Sequence, residues 1–429
     1  MKITNISMTN TRGIRSLSID LKEHLNVFMG MNGTGKSTVL DTVSIMLSWV
    51  VNRIGHAGSS GRHIQEKDIT NKESSSQVDL TTIHGGVELK WRLVKNRKGH
   101  GAGKEKTDLG ELNTFTKETQ NRISITREKT NIPLFVYYPV NRAVQEIPLR
   151  IRKKHNFNLL AAFDEALTSG TNFKLFFEWF REREDLENEN IKIMHALSKG
   201  GVISEDLKHP DPQLEAVRKA IGLFLPEFKN LTVRRNPLRM EIEKNGKLMI
   251  VNQLSDGEKC LITMIGDLAR RMAIANPMRG NPFAGEGIVL IDEIDLHLHP
   301  KWQRMVVPKL RKVFPNCQFL ISTHSPHVIT HVEPENLYIL NQSEEGIKAE
   351  RPIESYGKNV DRVLEDLMGL ETTRPDEVSL KLRNIFKKID KGAVIEAAKM
   401  IESLKKLIGE DPELVKARVL IRRREIIGR

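Results

Sequence analysis

The chain reads as an α/β protein built from strand–loop–helix units, with a compact helical insertion and a C-terminal helical extension. Three observations predict this. Short apolar runs at Leu25–Met29, Gly287–Ile291 and Phe319–Ile321 have the continuous hydrophobicity of buried strands, and each ends abruptly in polar or glycine-rich residues. Beyond Thr38 the apolar residues of Val39–Leu47 recur at helical spacing, completing one such unit. From about residue 355 onward the pattern is helical only.

The first motif in chain order is Gly30-Met-Asn-Gly-Thr-Gly-Lys-Ser-Thr38, which follows the strand at Leu25–Met29. Its glycines, with Asn32 and Thr34 between them, let successive backbone N–H groups curl toward phosphates. Lys36 adds an ammonium, and Ser37, followed by Thr38, offers a hydroxyl to Mg²⁺ at a helix start. A nucleoside triphosphate is the expected ligand. The competing reading is a plain glycine turn, against which the flanking strand and helix weigh.

Residues 1–150 otherwise read as mostly β, with alternating runs at Val78–Thr82 and Val87–Leu93. The glycine- and charge-rich stretch Lys95–Lys117 is expected to be a mobile loop that touches nucleic acid. Residues 151–230 turn helical, most clearly at Phe157–Leu167 and Phe173–Asp185. Residues 231–355 resume the strand pattern, and Leu238–Val251 reads as a hairpin turning at Asn245-Gly246.

Leu254-Ser-Asp-Gly-Glu-Lys259 opens a further helical run, and Ser255 with Gly257 at its start makes a second anion-binding N-terminus. One nucleotide does not need two cradles from one chain. A two-fold dimer, each Ser255 loop closing on the phosphate held by its partner, accounts for both. The same residues also fit a simple capping box, Ser255 with Glu258.

Gly287–Ile291 leads into Asp292 and Glu293, placing one carboxylate to hold Mg²⁺ and a second to polarise an attacking water. Lys301–Phe314 reads as a helix after Pro300, and the next strand runs into His324, within expected reach of a γ-phosphate. His297, His299, His324, His327 and His331 show metal-like spacings but belong to separate segments, so a zinc site is not expected.

The order of these motifs resembles that of ABC-type ATPases, specifically the RecF/SMC-like branch of P-loop NTPase heads. The resemblance implies that Gly30–Thr38 is the Walker A loop and that Leu254, Ser255, Asp256, Gly257 and Glu258 form the trans-acting signature. It makes Asp292 and Glu293 Walker B, with Ser37 and Asp292 on Mg²⁺, His324 the switch histidine and Asp295 the D-loop aspartate. Gln145 is the candidate Q-loop glutamine, with Gln65 and Gln77 competing. Residues 151–230 correspond to the insertion that carries coiled-coil arms elsewhere in the branch; without sustained heptads they are expected to form a compact lobe.

The Asp292–Pro300 run and the tail beginning Tyr356-Gly-Lys-Asn resemble the ATPases of Septu-type anti-phage systems. That resemblance implies a homodimer or higher homo-oligomer acting as sensor and scaffold for a separate HNH nuclease. The chain itself carries no HNH arrangement. The alternative is a RecF-like repair or recombination ATPase that clamps duplex DNA. A transporter subunit and a fixed structural ATP brace are weaker alternatives.

At 429 residues and 39% hydrophobic, the chain suffices for one large core and a smaller one. Lys and Arg outnumber Asp and Glu by 67 to 55, giving a net charge of +12 that favours a polyanionic partner. The clusters at Lys95–Lys106, Arg150–Lys154, Arg234–Arg239 and Arg418–Arg429 lack interleaved aromatics, so any nucleic acid would be held by its backbone, or the clusters are solvated surface. Cys260 and Cys317 read as small core residues of a reducing compartment. With no long apolar span, a cytoplasmic, membrane-free protein is expected. Residues 356–429 are expected to form three amphipathic helices, either covering the head or docking a partner or another protomer.

Overall fold

The computed structural model describes residues 1–100, 105–140, 158–168, 173–197, 211–343 and 346–427. These divide into two compact units, Met1–Lys358 and Asn359–Arg429. The first unit opens with β1 (Lys2–Thr11), β2 (Ile14–Asp20), β3 (Leu25–Met29), α1 (Lys36–Gly55), β4 (Ser75–His84), β5 (Val87–Asn96), α2 (Gly110–Thr126) and β6 (Leu134–Tyr138). A 3-10 turn at Leu159–Phe163 leads to α3 (Phe173–Leu197) and α4 (Pro212–Phe224). There follow β7 (Phe228–Arg235), β8 (Leu238–Lys244), β9 (Lys247–Ile250), α5 (Asp256–Ala275), β10 (Gly287–Ile291) and α6 (Pro300–Val313). The unit closes with β11 (Cys317–Ser322), the single turn α7 (Pro326–Ile329), β12 (Leu337–Ser343) and β13 (Gly346–Glu350).

Six strands form the central sheet in the order β13-β12-β3-β11-β10-β6, parallel throughout except for β13. β3, β6, β10 and β11 are buried at every position, as continuous apolar strands covered on both faces must be. An antiparallel sheet, β2-β1-β4-β5, and a three-stranded meander, β7-β8-β9, complete the unit. The meander turns at Asn245 and Gly246, both left-handed with φ of 50° and 77°, the geometry a two-residue hairpin demands.

Two expectations need correction. Lys95–Lys117 is not a free loop throughout. β5 continues to Asn96, Arg92 bridges to Asp108, and α2 begins at Gly110, because Leu112, Phe115, Thr116 and Thr119 are buried on one helical face. Phe157–Leu167 is not an α-helix over its described part, which is a 3-10 turn followed by irregular turns. Its carbonyls are diverted to side chains elsewhere. Arg271 Nη1 donates to those of Ala162 and Asp164, and Ser44 Oγ and Arg62 Nη1 to that of Leu167.

The Arg234–Arg239 cluster is neutralised locally. Arg234 and Arg239 pair with Glu241, and Arg235 with Glu184 and Asp185. Cys260 and Cys317 are both buried, and neither is in a disulfide. Among the described residues, no helix is long and apolar enough to cross a membrane.

α5 is buried on nearly every side, yet it carries Asp267, Arg270 and Arg271. The Asp267 carboxylate accepts from Arg270 Nη2 and Arg271 Nε, both at 2.7 Å, and from the Tyr138 hydroxyl at 3.0 Å. The buried helix is thereby tied to the end of β6.

The second unit contains a short helical turn, α8 (Val360–Arg362), continued by a wider turn at Val363–Leu367. It then forms α9 (Asp376–Asp390), α10 (Val394–Ile408) and α11 (Pro412–Ile427). Leu382, Ile385 and Ile389 meet Ala397, Ile401 and Leu404 in its core, closed by Leu414, Ala417 and Ile421. Arg374 forks onto both carboxylate oxygens of Asp411, fixing the start of α9 to that of α11.

Asp267→Asn is expected to destabilise the first unit by about 3–5 kcal/mol, since it leaves two buried guanidinium groups without their counter-ion. Burial alone would raise the Asp267 carboxyl, but Arg271 and Arg270 overcome this and lower it from 3.8 to about 2. The ion cluster's contribution is therefore full above the unfolded value of 3.8 and is lost as pH falls toward about 2. Urea unfolding of both proteins across that range checks the sign.

Candidate active site

Three motifs leave the same end of the central sheet. Registers Ile291 with Ile321 and Ser322 with Phe28 align the carboxyl ends of β10, β11 and β3, so Gly30, His324 and Asp292 emerge side by side. This end is where open parallel sheets bind ligands.

The Gly30–Thr38 loop is strongly shaped. Gly33 and Gly35 have φ of 85° and 90°. A Cβ on Gly30 would lie 2.4 Å from the Leu340 carbonyl oxygen, so only glycine fits there. Thr34 Oγ1 donates to the Met31 carbonyl at 2.8 Å, while Asn32 and Ser37 are exposed at the loop's surface. Lys36 is buried and donates to the carbonyls of Gly30 and Met31, each at 2.9 Å. Burial lowers its ammonium below the usual lysine range, against the opposing pull of Asp292, Glu293 and Asp295.

Asp292 is almost wholly buried at the tip of β10, its amide donating to the Tyr138 carbonyl at 2.9 Å. Its carboxylate accepts from the Ser322 hydroxyl, and Ser322 Oγ in turn accepts from the Glu293 amide at 2.7 Å. Glu293 has φ of 47°, a left-handed conformation that ordinary residues rarely adopt. The Asp295 carboxylate accepts from the Thr323 hydroxyl and, at 3.4 Å, from the His324 amide. Burial first, then the Lys36 charge, lowers His324 below its ordinary 6.5, leaving a neutral imidazole at pH 7.

Ser37 and Asp292 are oxygen donors of the kind a hard divalent cation takes. No cluster of three or more His, Cys, Asp or Glu able to hold a metal occurs among the described residues. These residues fit Mg²⁺, which completes its shell with phosphate oxygens and water rather than with a protein cage. The five histidines form no zinc site among the described residues.

The Leu254–Lys259 segment caps α5. The Ser255 amide donates to Glu258 Oε2 at 2.9 Å and Ser255 Oγ accepts from the Glu258 amide at 3.4 Å, so the capping box is present. Lys244, at the end of β8, pairs with Glu258 at 2.5 Å and ties the hairpin to the cap. Burial would raise the Glu258 carboxyl, but Lys244 and Ser255 hold it below the usual range. Gly257 packs so closely on the His297 backbone that a Cβ would lie 2.3 Å from its carbonyl oxygen. Ser255, Asp256 and Gly257 line a cavity of about 750 Å³ with Lys244, His297 and Lys301.

Gln145 lies outside the described residues, as do Arg142 and the Arg150–Lys154 cluster. Gln77 is engaged with Asp79, and Gln65 donates to the His63 carbonyl. Sequence reasoning missed the roles of Ser322, Thr323 and Gln303. Gln303 donates to the Leu298 carbonyl at 2.8 Å and accepts from the Ser325 hydroxyl at 2.7 Å, joining the segment after Glu293 to that after His324. Two hydroxyl residues directly after the apolar run Phe319–Ile321 are the signal the sequence offers for the first two.

The family described as "AAA domain, putative AbiEii toxin, Type IV TA system" matches residues 25–330. The chain is 29% identical to "Retron Ec83 probable ATPase" of Escherichia coli, over 99% of this chain and 87% of that protein. It is 32% identical to "Retron Vc95 probable ATPase" of Vibrio cholerae, over 85% of this chain and 78% of that protein. It is 22% identical to "Septu protein PtuA" of Bacillus thuringiensis, over 87% of this chain and 85% of that protein.

Lys36→Ala is expected to abolish ATP binding measured by calorimetry. Glu293→Gln should keep binding while slowing steady-state hydrolysis by about 10²-fold or more. His324→Gln should slow hydrolysis with little loss of binding. It should also remove the acid limb that His324 contributes as pH falls through its lowered value, below 6.5.

Proposed function

Because the chain belongs to the family described as "AAA domain, putative AbiEii toxin, Type IV TA system" and is an ATPase, we propose that it is the sensor and scaffold of a bacterial anti-phage complex. It would control a separate HNH nuclease, a PtuB-like subunit, through ATP-dependent dimerisation of its heads. The similarity to PtuA and to the two retron ATPases supports the defence setting.

One observation carries the dimer. The cavity lined by Ser255, Asp256 and Gly257 is lined by none of residues 30–38. Each signature loop is then available to a nucleotide held by a partner.

In this reading Lys36 and the loop amides bind the β- and γ-phosphates in cis, and Ser37 and Asp292 face the metal. Mg²⁺, when bound, neutralises charge on the phosphates. The Glu293 carboxylate takes a proton from water as its oxygen attacks the γ-phosphorus and the bond to the ADP oxygen breaks. His324 orients the γ-phosphate, and Asp295 stands at the dimer face. Loss of phosphate loosens the dimer and moves whatever α3, α4 and the helices of the second unit hold. The alternative, a RecF-like clamp on duplex DNA, has less support, since Arg234–Arg239 is already paired with acids.

Glu293→Gln with ATP is expected to run as a dimer or larger in light scattering, and Glu293→Gln combined with Ser255→Arg as a smaller species. A stoichiometric HNH nuclease should co-purify from the native host. Recovery of repair factors instead, with salt-sensitive DNA binding, would favour the clamp.

A further inference from the structure

Ser322 ends β11, the strand that lies between β3 and β10, and it is fully buried. It contacts three consecutive residues beyond β10. Its hydroxyl donates to Asp292 Oδ1 and accepts from the Glu293 amide at 2.7 Å, and its carbonyl accepts from the Ile294 amide at 3.0 Å. A hydroxyl that donates to one group and accepts from the next has its proton direction fixed. The carboxylate oxygen it engages is held as an acceptor in one orientation. The Glu293 amide is held where φ is 47°, and an extended backbone there would point the Glu293 side chain elsewhere.

We propose that Ser322 is a positioning residue for ATP hydrolysis, whose hydroxyl orients the Asp292 carboxylate toward the metal and fixes the backbone that aims Glu293. Thr323 performs a separate task on Asp295, so the two adjacent hydroxyls serve different carboxylates. Ser322 itself touches neither substrate nor water in this role. It acts through the two acids.

The role rests on the cis ATP site proposed above, and it predicts a dependence on Mg²⁺ that simple filling of a polar cavity does not. Full-length Ser322→Ala is titrated with a fluorescent ATP analogue in EDTA and in rising Mg²⁺, and hydrolysis is followed over the same Mg²⁺ range. Affinity in EDTA should stay within about twofold of the parent, because Lys36 and the loop are untouched. The gain in affinity brought by Mg²⁺ should shrink about tenfold, the loss expected for one hydrogen bond to a charged group. Half-saturating Mg²⁺ for hydrolysis should rise to match, and excess Mg²⁺ should recover part of the rate.

Ser322→Cys, similar in size but a poor donor, serves if the alanine variant does not fold, and should shift in the same direction. An unchanged Mg²⁺ response in a folded variant would overturn the proposal. So would equal loss of binding with and without Mg²⁺, since that is the signature of a structural role. A parent protein that binds no ATP would instead sink the cis site itself.

Discussion

The parallel register of β3, β11 and β10 is the constraint on which the site depends. Because the three strands end level, a glycine-rich loop, a histidine and two acids separated by hundreds of residues arrive on one edge without any long-range design of loops. Slipping one strand by a single residue would turn its side chains to the opposite face and dissolve the constellation. The hydrogen bonds of Ser322 to Asp292, Glu293 and Ile294 are made only in this register of β10 and β11.

Around this edge the polar groups are organised in pairs rather than left to solvent. Ser322 serves Asp292 and Glu293, Thr323 serves Asp295, and Gln303 joins the segments that follow. Deeper down, Asp267 with Arg270 and Arg271 anchors α5, the helix capped by Ser255, and the Tyr138 hydroxyl on that acid joins it to β6. The Asp292 amide bonds to the carbonyl of the same tyrosine. One residue at the end of β6 is thus bonded both to α5 and to Asp292. Such buried ionic groups cost desolvation, and the hydrogen bonds that satisfy them also restrict the site to one arrangement.

Much of this was legible in the sequence. Leu25–Met29 is the observed strand residue for residue, the run ending in Asp292 and Glu293 holds the strand Gly287–Ile291, the Asn245-Gly246 turn is where it is expected, and α9 and α10 are amphipathic, as expected of that region. Illegible parts share a physical cause, which is that tertiary partners override local pattern. The backbone at Ala162–Leu167 gives its carbonyls to arginines and a serine far away in sequence, so its helical-looking composition yields irregular turns. α2 follows a glycine- and charge-rich stretch, and four buried residues on one face outweigh that composition. The acids that neutralise Arg235 lie some fifty residues before it, beyond any local reading.

The absence of space for a Cβ between Gly257 and the His297 carbonyl has a consequence for variation. The loop after Glu293 and the start of α5 meet backbone to backbone, with no side chain between them to absorb a change. Alterations on either side of that contact are therefore epistatic. A shift tolerated by one loop becomes tolerable only in the company of a compensating shift in the other. The loop after Glu293 and the start of α5 therefore cannot be tuned as separate modules.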